Sequence, residues 1–150
     1  MALEDIINQD IKAAMLAKDH VKLRGLRAIK SALLLAKTEK DARETLSEDA
    51  EIKVLQKLVK QRKESAEIYM QQNRADLYQI EKEEQEVIEQ YLPQQLGRED
   101  IEQQICAIIT QIGAGGMKDM GRVMGQANQV LAGRADGKTV AEIVKQLLSS

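Results

Sequence analysis

The sequence contains no phenylalanine and no tryptophan, and it has one proline, one cysteine and one histidine among 150 residues. A single cysteine and a single histidine cannot supply the ligand set of a zinc site, so we expect no metal. No segment approaches the run of about 18 apolar residues that a membrane span needs, so we expect no membrane partner. The formal net charge of -2 argues against a strongly basic, nonspecific nucleic-acid binder.

The abundant residues are Ala, Leu, Ile, Gln, Glu and Lys, which are among those that enter a helix most readily. Apolar residues recur at helical spacing, and alternation of apolar and polar residues never persists long enough to predict a sheet. The sequence therefore predicts an all-α protein.

Four helices are predicted before the only proline, Pro93. Asp19 and Ser47 are suitable N-caps for the second and third helices, and the stretch 41–46 between these helices breaks the apolar pattern. The fourth helix ends at Leu92, because proline disfavours helical backbone at the preceding residue. The inward stripe of the fourth helix is predicted to hold Leu77, Ile80, Val87, Ile88 and Tyr91.

The composition changes at Pro93, since eight glycines lie beyond it and only Gly25 lies before it. This change predicts an N-terminal four-helix subdomain, residues 1–92, followed by a C-terminal three-helix bundle, residues 93–150. The helices of the bundle are predicted at about Glu99 to Ile112, Lys118 to Leu131 and Lys138 to Leu148.

Arg62 is anomalous, because it occupies a position of the third helix at which the spacing predicts an apolar side chain. An unpaired buried charge is costly, so we expect Arg62 to be hydrogen-bonded to a carboxylate, with Glu84 as the candidate. Glu84 belongs to a glutamate-rich stretch with Glu81, Glu83 and Glu86, and most of these side chains are expected to form a solvated face.

The segment 133–139, Gly-Arg-Ala-Asp-Gly-Lys-Thr, is one residue shorter than a phosphate-binding P-loop and follows a helical pattern instead of a strand. We interpret it as a turn in which Gly133 or Gly137 supplies the backbone conformation and Asp136 caps the last helix. Cys106 lies in an apolar run and is predicted to be a buried core residue.

Gly121 and Gly125 lie four residues apart on one predicted helix and leave a groove in which another helix can pack closely. Packing within the chain is the favoured interpretation, and a groove for a protein partner is the alternative. The adjoining apolar face consists of Met117, Met120, Val123 and Met124.

Basic residues form two groups. One group lies on the third helix and consists of Lys57, Lys60, Arg62 and Lys63. The other is distributed over the last two helices and the turn between them, and consists of Lys118, Arg122, Arg134, Lys138 and Lys145. Only the second group surrounds one loop, and such cations are suited to contacts with phosphates.

Several strings resemble the GatB/YqeY family. They lie at positions 60–65, 92–96, 119–125, 133–138 and 140–145, and the match is most specific between Met117 and Leu148. The resemblance is to free-standing members, whose fold also forms the tail of the B subunit of a glutamine-dependent aspartyl/glutamyl-tRNA amidotransferase. It implies a helical tail that helps to hold tRNA, while a separate, larger domain performs phosphorylation and amide formation. Gly97 departs from the usual serine-like N-cap of the fifth helix.

The leading hypothesis is a non-catalytic module that binds tRNA through the second basic group, with Arg134 and Lys138 as anchors. The alternatives are a protein adaptor and an accessory to a glutamine-dependent carbon-nitrogen ligase. We expect no catalytic residue and no cofactor in this chain, because one cysteine and one histidine far apart in sequence do not form a nucleophile and base. The start of the sequence is acidic and lacks the basic residues and the apolar run of a secretory signal, so we expect a cytoplasmic location by default.

Overall fold

The computed structural model describes residues 2–39 and 46–149, and these residues form helices and turns without any strand. The prediction of an all-α protein is therefore confirmed. Of the predicted irregular stretch 41–46, residues 41–45 lie outside the described residues. The helices are α1 (Leu3–Ala17), α2 (His20–Glu39), α3 (Glu48–Gln71), α4 (Ala75–Glu89), α5 (Arg98–Ile112), α6 (Met120–Val130) and α7 (Gly137–Ser149), and a single 3-10 turn (Met117–Asp119) precedes α6.

The chain divides into two compact units, which we call unit 1 (Met1–Leu92) and unit 2 (Pro93–Ser150). Each unit has a separate aliphatic core. The core of unit 1 includes Ile7, Leu26, Ile29, Leu33, Leu55 and Ile88. The core of unit 2 includes Ile105, Val123, Ala127, Val140, Ile143 and Val144.

Both predicted N-caps have a hydrogen-bonding role. The Asp19 carboxylate accepts a hydrogen bond from the backbone N–H of Lys22 at 3.1 Å, just before the start of α2. The Ser47 hydroxyl accepts one from the backbone N–H of Ala50 at 3.1 Å and caps α3. These side chains satisfy N–H groups that the first turn of a helix leaves without an intrahelical partner.

Helix α2 contacts α1, α3 and α4, so the packing of unit 1 depends on how closely these helices approach it. Helices α2 and α4 approach each other closely at Gly25, which is buried against Val87 of α4. A Cβ atom on Gly25 would lie 2.6 Å from Cγ1 and 2.7 Å from Cβ of Val87. No real side chain tolerates such distances, so the absence of a Cβ atom at Gly25 sets the spacing between α2 and α4.

Arg62 is hydrogen-bonded to Glu84, as the sequence predicts. Its Nε atom lies 3.3 Å from Oε2 of Glu84, and the two side chains are only 19% and 18% exposed. Arg24 of α2 donates to Glu83 at 2.8 Å and lies 3.8 Å from Glu84. Three helices are thus joined by one charge network, in which Glu84 prevents Arg62 from being an unpaired charge inside the unit.

The expected solvated glutamate face is wrong for Glu81 and Glu83, which are half-buried, while Glu86 is exposed. The carboxyl of Glu81 has a raised pKa, chiefly because burial disfavours its charged form and also because Glu84 is close; Arg62 opposes the increase. The reason is geometric, since α3 and α2 cover the side of α4 that sequence spacing alone assigns to water.

The predicted inward stripe of α4 needs one correction. Ile80 is 38% exposed, whereas Gln85 is buried. Gln85 donates to Oε1 of Glu89 at 2.9 Å, and its own Oε1 atom accepts no hydrogen bond within the described part of the chain.

Cys106 is exposed, so its predicted burial is wrong. The buried face of α5 is formed by Ile101, Ile105 and Ile108. Cys106 follows Ile105 directly and is rotated about 100° from it around the helix, which places it toward solvent. A run of apolar residues does not by itself define a face of a helix.

We predict that Gly25→Ala lowers the free energy of unfolding by about 1 to 3 kcal/mol, because the added methyl group overpacks the α2–α4 contact. The control is Gly125→Ala, where a Cβ atom meets nothing within 4 Å. Helix propensity alone should make that variant more stable by up to about 1 kcal/mol. Urea unfolding measures both effects.

An increase in stability for Gly25→Ala would contradict the packing. The double variant Gly25→Ala with Val87→Ala should lose less free energy of unfolding than the sum of the losses in the two single variants.

We predict that Glu81→Gln raises the free energy of unfolding at neutral pH. Because the pKa of Glu81 is higher in the folded state, the folded state takes up its proton more readily. The ionised form therefore disfavours folding above that pKa, and the penalty disappears as the pH falls through the ordinary range of a glutamate. The gain of the variant should shrink over the same interval in urea unfolding. An equal pH-dependent gain in Glu86→Gln, an exposed control, would contradict this interpretation.

Candidate nucleic-acid interface

The turn between α6 and α7 is a structured segment that contacts the chain before α5. Gly133 has a φ of 75°, the left-handed conformation that glycine adopts at little cost. The side-chain amide of Gln95 donates to the Gly133 carbonyl at 2.6 Å, and the backbone N–H of Leu96 donates to the Arg134 carbonyl at 2.9 Å. Segment 94–96 is thereby fixed against the turn within unit 2.

Arg134 takes part in this arrangement with its side chain as well. Its Nε atom donates to the Gln94 carbonyl at 3.4 Å, and the residue is half-buried. The guanidinium is therefore partly committed to holding segment 94–96, which makes Arg134 a structural residue of unit 2. Sequence reasoning missed segment 94–96, because no local pattern shows which carbonyls a distant turn will meet.

Asp136 directly precedes α7, and Gly137 is the first residue of that helix. The Asp136 carbonyl accepts from the backbone N–H of Val140 at 3.0 Å, and its carboxylate accepts from the Thr139 hydroxyl at 3.3 Å. The carboxylate thus contacts a side chain in the first turn of α7. Of the two glycines considered for the turn, Gly133 has positive φ and Gly137 does not.

Four of the five cations predicted to face RNA are exposed, namely Lys118, Arg122, Lys138 and Lys145. The Arg122 side chain is 68% exposed, with Nη1 3.7 Å from Oδ1 of Asp119. Within residues 2–39 and 46–149, none of the three lysines forms an ion pair or a hydrogen bond through its side chain. Their ammonium groups are free to bind an external anion.

The five cations do not form a single cluster. The hydroxyl of Ser149 lies 3.5 Å from the sulfur of Met117, which brings the last turn of α7 against the 3-10 turn. Lys118 and Lys145 therefore lie toward the same end of unit 2. Lys138 lies in the first turn of α7, two turns before Lys145, and belongs with the Arg134 turn at the other end.

The solvent face of α6 is open and carries no acidic residue. Gly121 and Gly125 are exposed, and a Cβ atom on either would meet nothing within 4 Å. The prediction that another helix of the chain packs on these glycines is wrong for the described residues. Neutral exposed side chains share this face with Arg122, namely Gln126, Asn128 and Gln129, so an approaching anion meets no negative charge on α6.

Asp119 directly precedes α6, and the partners of its carboxylate lie in the same segment of the chain. Oδ2 accepts from the backbone N–H of Gly115 at 2.9 Å, while Oδ1 faces Arg122. The Asp119 side chain is only 16% exposed; it holds the turn 115–119 together and lies within ion-pair distance of Arg122. In the sequence, this turn is indicated by an aspartate that lies three residues after Gly116 and directly before a helix.

The described residues contain no group of three or more His, Cys, Asp or Glu side chains that could hold a metal ion. Cys106 belongs to unit 2 and His20 to unit 1. In the part of the chain with described structure, no helix is both long and apolar enough to cross a membrane.

Comparison with known proteins identifies relatives among yeast proteins named "Altered inheritance of mitochondria protein 41, mitochondrial". The protein of Clavispora lusitaniae is 32% identical over 134 residues, which cover 87% of this chain and 77% of that protein. The proteins of Lachancea thermotolerans and Meyerozyma guilliermondii are 34% and 36% identical over 88 and 86 residues. The match to the Lachancea thermotolerans protein covers 59% of this chain and 46% of that protein. The match to the Meyerozyma guilliermondii protein covers 57% of this chain and 44% of that protein.

The comparison contradicts the predicted cytoplasmic location, because these relatives are named mitochondrial proteins. The prediction of a cytoplasmic location depends on the first few residues alone, and the names of these relatives show that it is wrong. The family, in contrast, follows from nearly the whole sequence. The model of the family described as "Yqey-like protein" matches residues 4–148. The chain therefore belongs to the YqeY-like family.

Proposed function

We propose that this chain is a non-catalytic module that binds tRNA through the exposed cations of unit 2. The observation that carries the proposal is the free exposure of Lys118, Lys138 and Lys145, which have no anionic partner in the described structure. Family membership supports it, because the resemblance to an amidotransferase tail implies contact with tRNA. Ammonium groups of this kind bind phosphate oxygens and position a nucleic acid without reading its sequence.

The geometry changes which residues serve as anchors. Arg134 holds segment 94–96 through the Gln94 carbonyl, so Lys138 is the freer of the two residues expected to anchor the RNA. Lys118 and Lys145 add contacts toward the other end of the unit, and Arg122 extends from the open face of α6. These cations are spread along unit 2, which suits contact with several phosphates of the RNA backbone better than a single phosphate pocket at the turn.

We predict that Lys118→Gln combined with Lys138→Gln and Lys145→Gln weakens binding of a tRNA transcript. The slope of log affinity against log salt concentration should become shallower by about 1 for each lysine that contacts phosphate. Fluorescence anisotropy over a series of salt concentrations measures both quantities. The glutamine substitutions are on exposed positions, so circular dichroism should be unchanged.

The control removes three cations from the region of α1 and α2, as Lys12→Gln, Lys18→Gln and Arg27→Gln. It gives the same net charge as the unit 2 variant, so it separates local contact from overall electrostatics. Equal affinity and equal salt slope in wild type and the unit 2 variant would contradict the proposed function.

A second candidate is a protein adaptor, which the open α6 face favours. Gly121 and Gly125 allow the backbone of a partner to approach closely, and Met117 beside them is 43% exposed. Gly125→Gln would obstruct that approach without removing a cation. Loss of a nuclease-resistant complex in Gly125→Gln, with the complex retained in the lysine variant, would favour the adaptor. If the partner were a glutamine-dependent carbon-nitrogen ligase, the adaptor would act as an accessory to that enzyme.

A further inference from the structure

Unit 1 presents a row of lysines that the function proposed for unit 2 does not use. We call it the lysine stripe, and it consists of Lys53, Lys57, Lys60 and Lys63 on α3. All four residues are exposed. The sequence contains no acidic residue between positions 52 and 63, so the stripe is uninterrupted by negative charge along its own helix.

The lysine stripe follows the solvent side of α3. Its members are separated by steps of four, three and three residues, which keeps them within about a third of the helix circumference. The opposite side carries Leu55, Leu58 and Val59, which are buried in the core of unit 1. At a rise of about 1.5 Å per residue, the stripe is about 15 Å long.

The lysines of the stripe form no ion pair within the described residues, whereas several other cations of unit 1 do. Arg62 forms an ion pair with Glu84, Arg24 with Glu83, and Lys37 with Glu4 of α1. No stripe lysine forms an ion pair or side-chain hydrogen bond in residues 2–39 and 46–149. Four ammonium groups thus repel one another on one helix face, a cost that a bound polyanion would remove.

The acidic residues of α3 form no ion pair with the stripe within the described residues, including Asp49, which lies four residues before Lys53. Glu64 and Glu67 come four residues after Lys60 and Lys63, an order in which helical ion pairs are weaker. Glu83 and Glu84 of the adjacent helix are occupied by arginines. The lysines of the stripe therefore remain unpaired within the described residues, even though the net charge of the whole chain is slightly negative.

The chemistry of the stripe favours the backbone of double-helical RNA over other polyanions. Between the lysines the exposed face offers glutamine, and no exposed apolar or aromatic side chain lies from 53 to 63. A protein interface usually needs aromatic or arginine anchors and is depleted of lysine, and membrane binding needs apolar residues beside the charges. Single-stranded nucleic acid needs aromatic stacking platforms, whereas a duplex is recognised by its phosphates and shape.

We propose that the lysine stripe is a second RNA-binding surface, which contacts the phosphate backbone of a duplex segment of RNA without sequence selection. The inference extends the proposed function, since it takes the same class of ligand at a different unit of the chain.

We predict that Lys53→Gln combined with Lys57→Gln, Lys60→Gln and Lys63→Gln weakens binding of the tRNA transcript by the full chain. The salt slope should become shallower by about 1 for each phosphate that the variant no longer neutralises. In wild type, bound tRNA should protect the same four lysines from acetylation, measured by mass spectrometry. The control is Lys12→Gln, Lys18→Gln, Lys22→Gln and Arg27→Gln, which removes the same number of charges from the region of α1 and α2.

The outcomes separate this inference from the proposed function. If the stripe variant matches the control in affinity and salt slope while the unit 2 variant is impaired, the stripe proposal is overturned and the function stands. If only the stripe variant is impaired, the stripe stands and the assignment of binding to unit 2 fails. No tRNA binding by wild type overturns both proposals. Stripe-dependent binding to phosphatidylserine vesicles, with tRNA binding unchanged, would identify a membrane surface instead and overturn the RNA proposal.

Discussion

The contact between α2 and α4 at Gly25 is the constraint on which unit 1 depends. Without a Cβ atom at this position, Val87 comes within a distance that any other residue would exclude. Helices held this closely bring Arg24 to Glu83 and leave Glu84 to neutralise Arg62. The charge network is thus a consequence of backbone proximity, and it joins the polar groups of α2, α3 and α4 to one another while the lysine stripe remains outside.

Unit 2 uses its glycines differently from unit 1. Its glycines serve the turns, where Gly133 has positive φ, and the open face of α6, where Gly125 packs against nothing. Polar contacts of the turn, above all those of Arg134 and Gln95, hold the segment before α5 in place.

The contrast between engaged and free cations carries the functional interpretation in both units. Arg24, Arg62 and Arg134 have partners inside the protein, and arginine is suited to such roles because its planar group donates several hydrogen bonds. The free cations are mainly lysines, which bind phosphate as mobile point charges. A protein with a slightly negative net charge can therefore still present local surfaces suited to a nucleic-acid backbone.

Much of the fold was determined by the sequence alone: helical spacing predicts the seven helices, capping side chains indicate where α2 and α3 begin, and an unusual Arg62 predicts its bond to Glu84. These features depend on neighbours in the chain or on a strong energetic penalty. Only the tertiary structure decided that Cys106, Gly125 and Ile80 are exposed, that Gln85 is buried, and that the Arg134 side chain is hydrogen-bonded to the Gln94 carbonyl. Whether a helix face is covered depends on where other helices end, which local sequence does not encode.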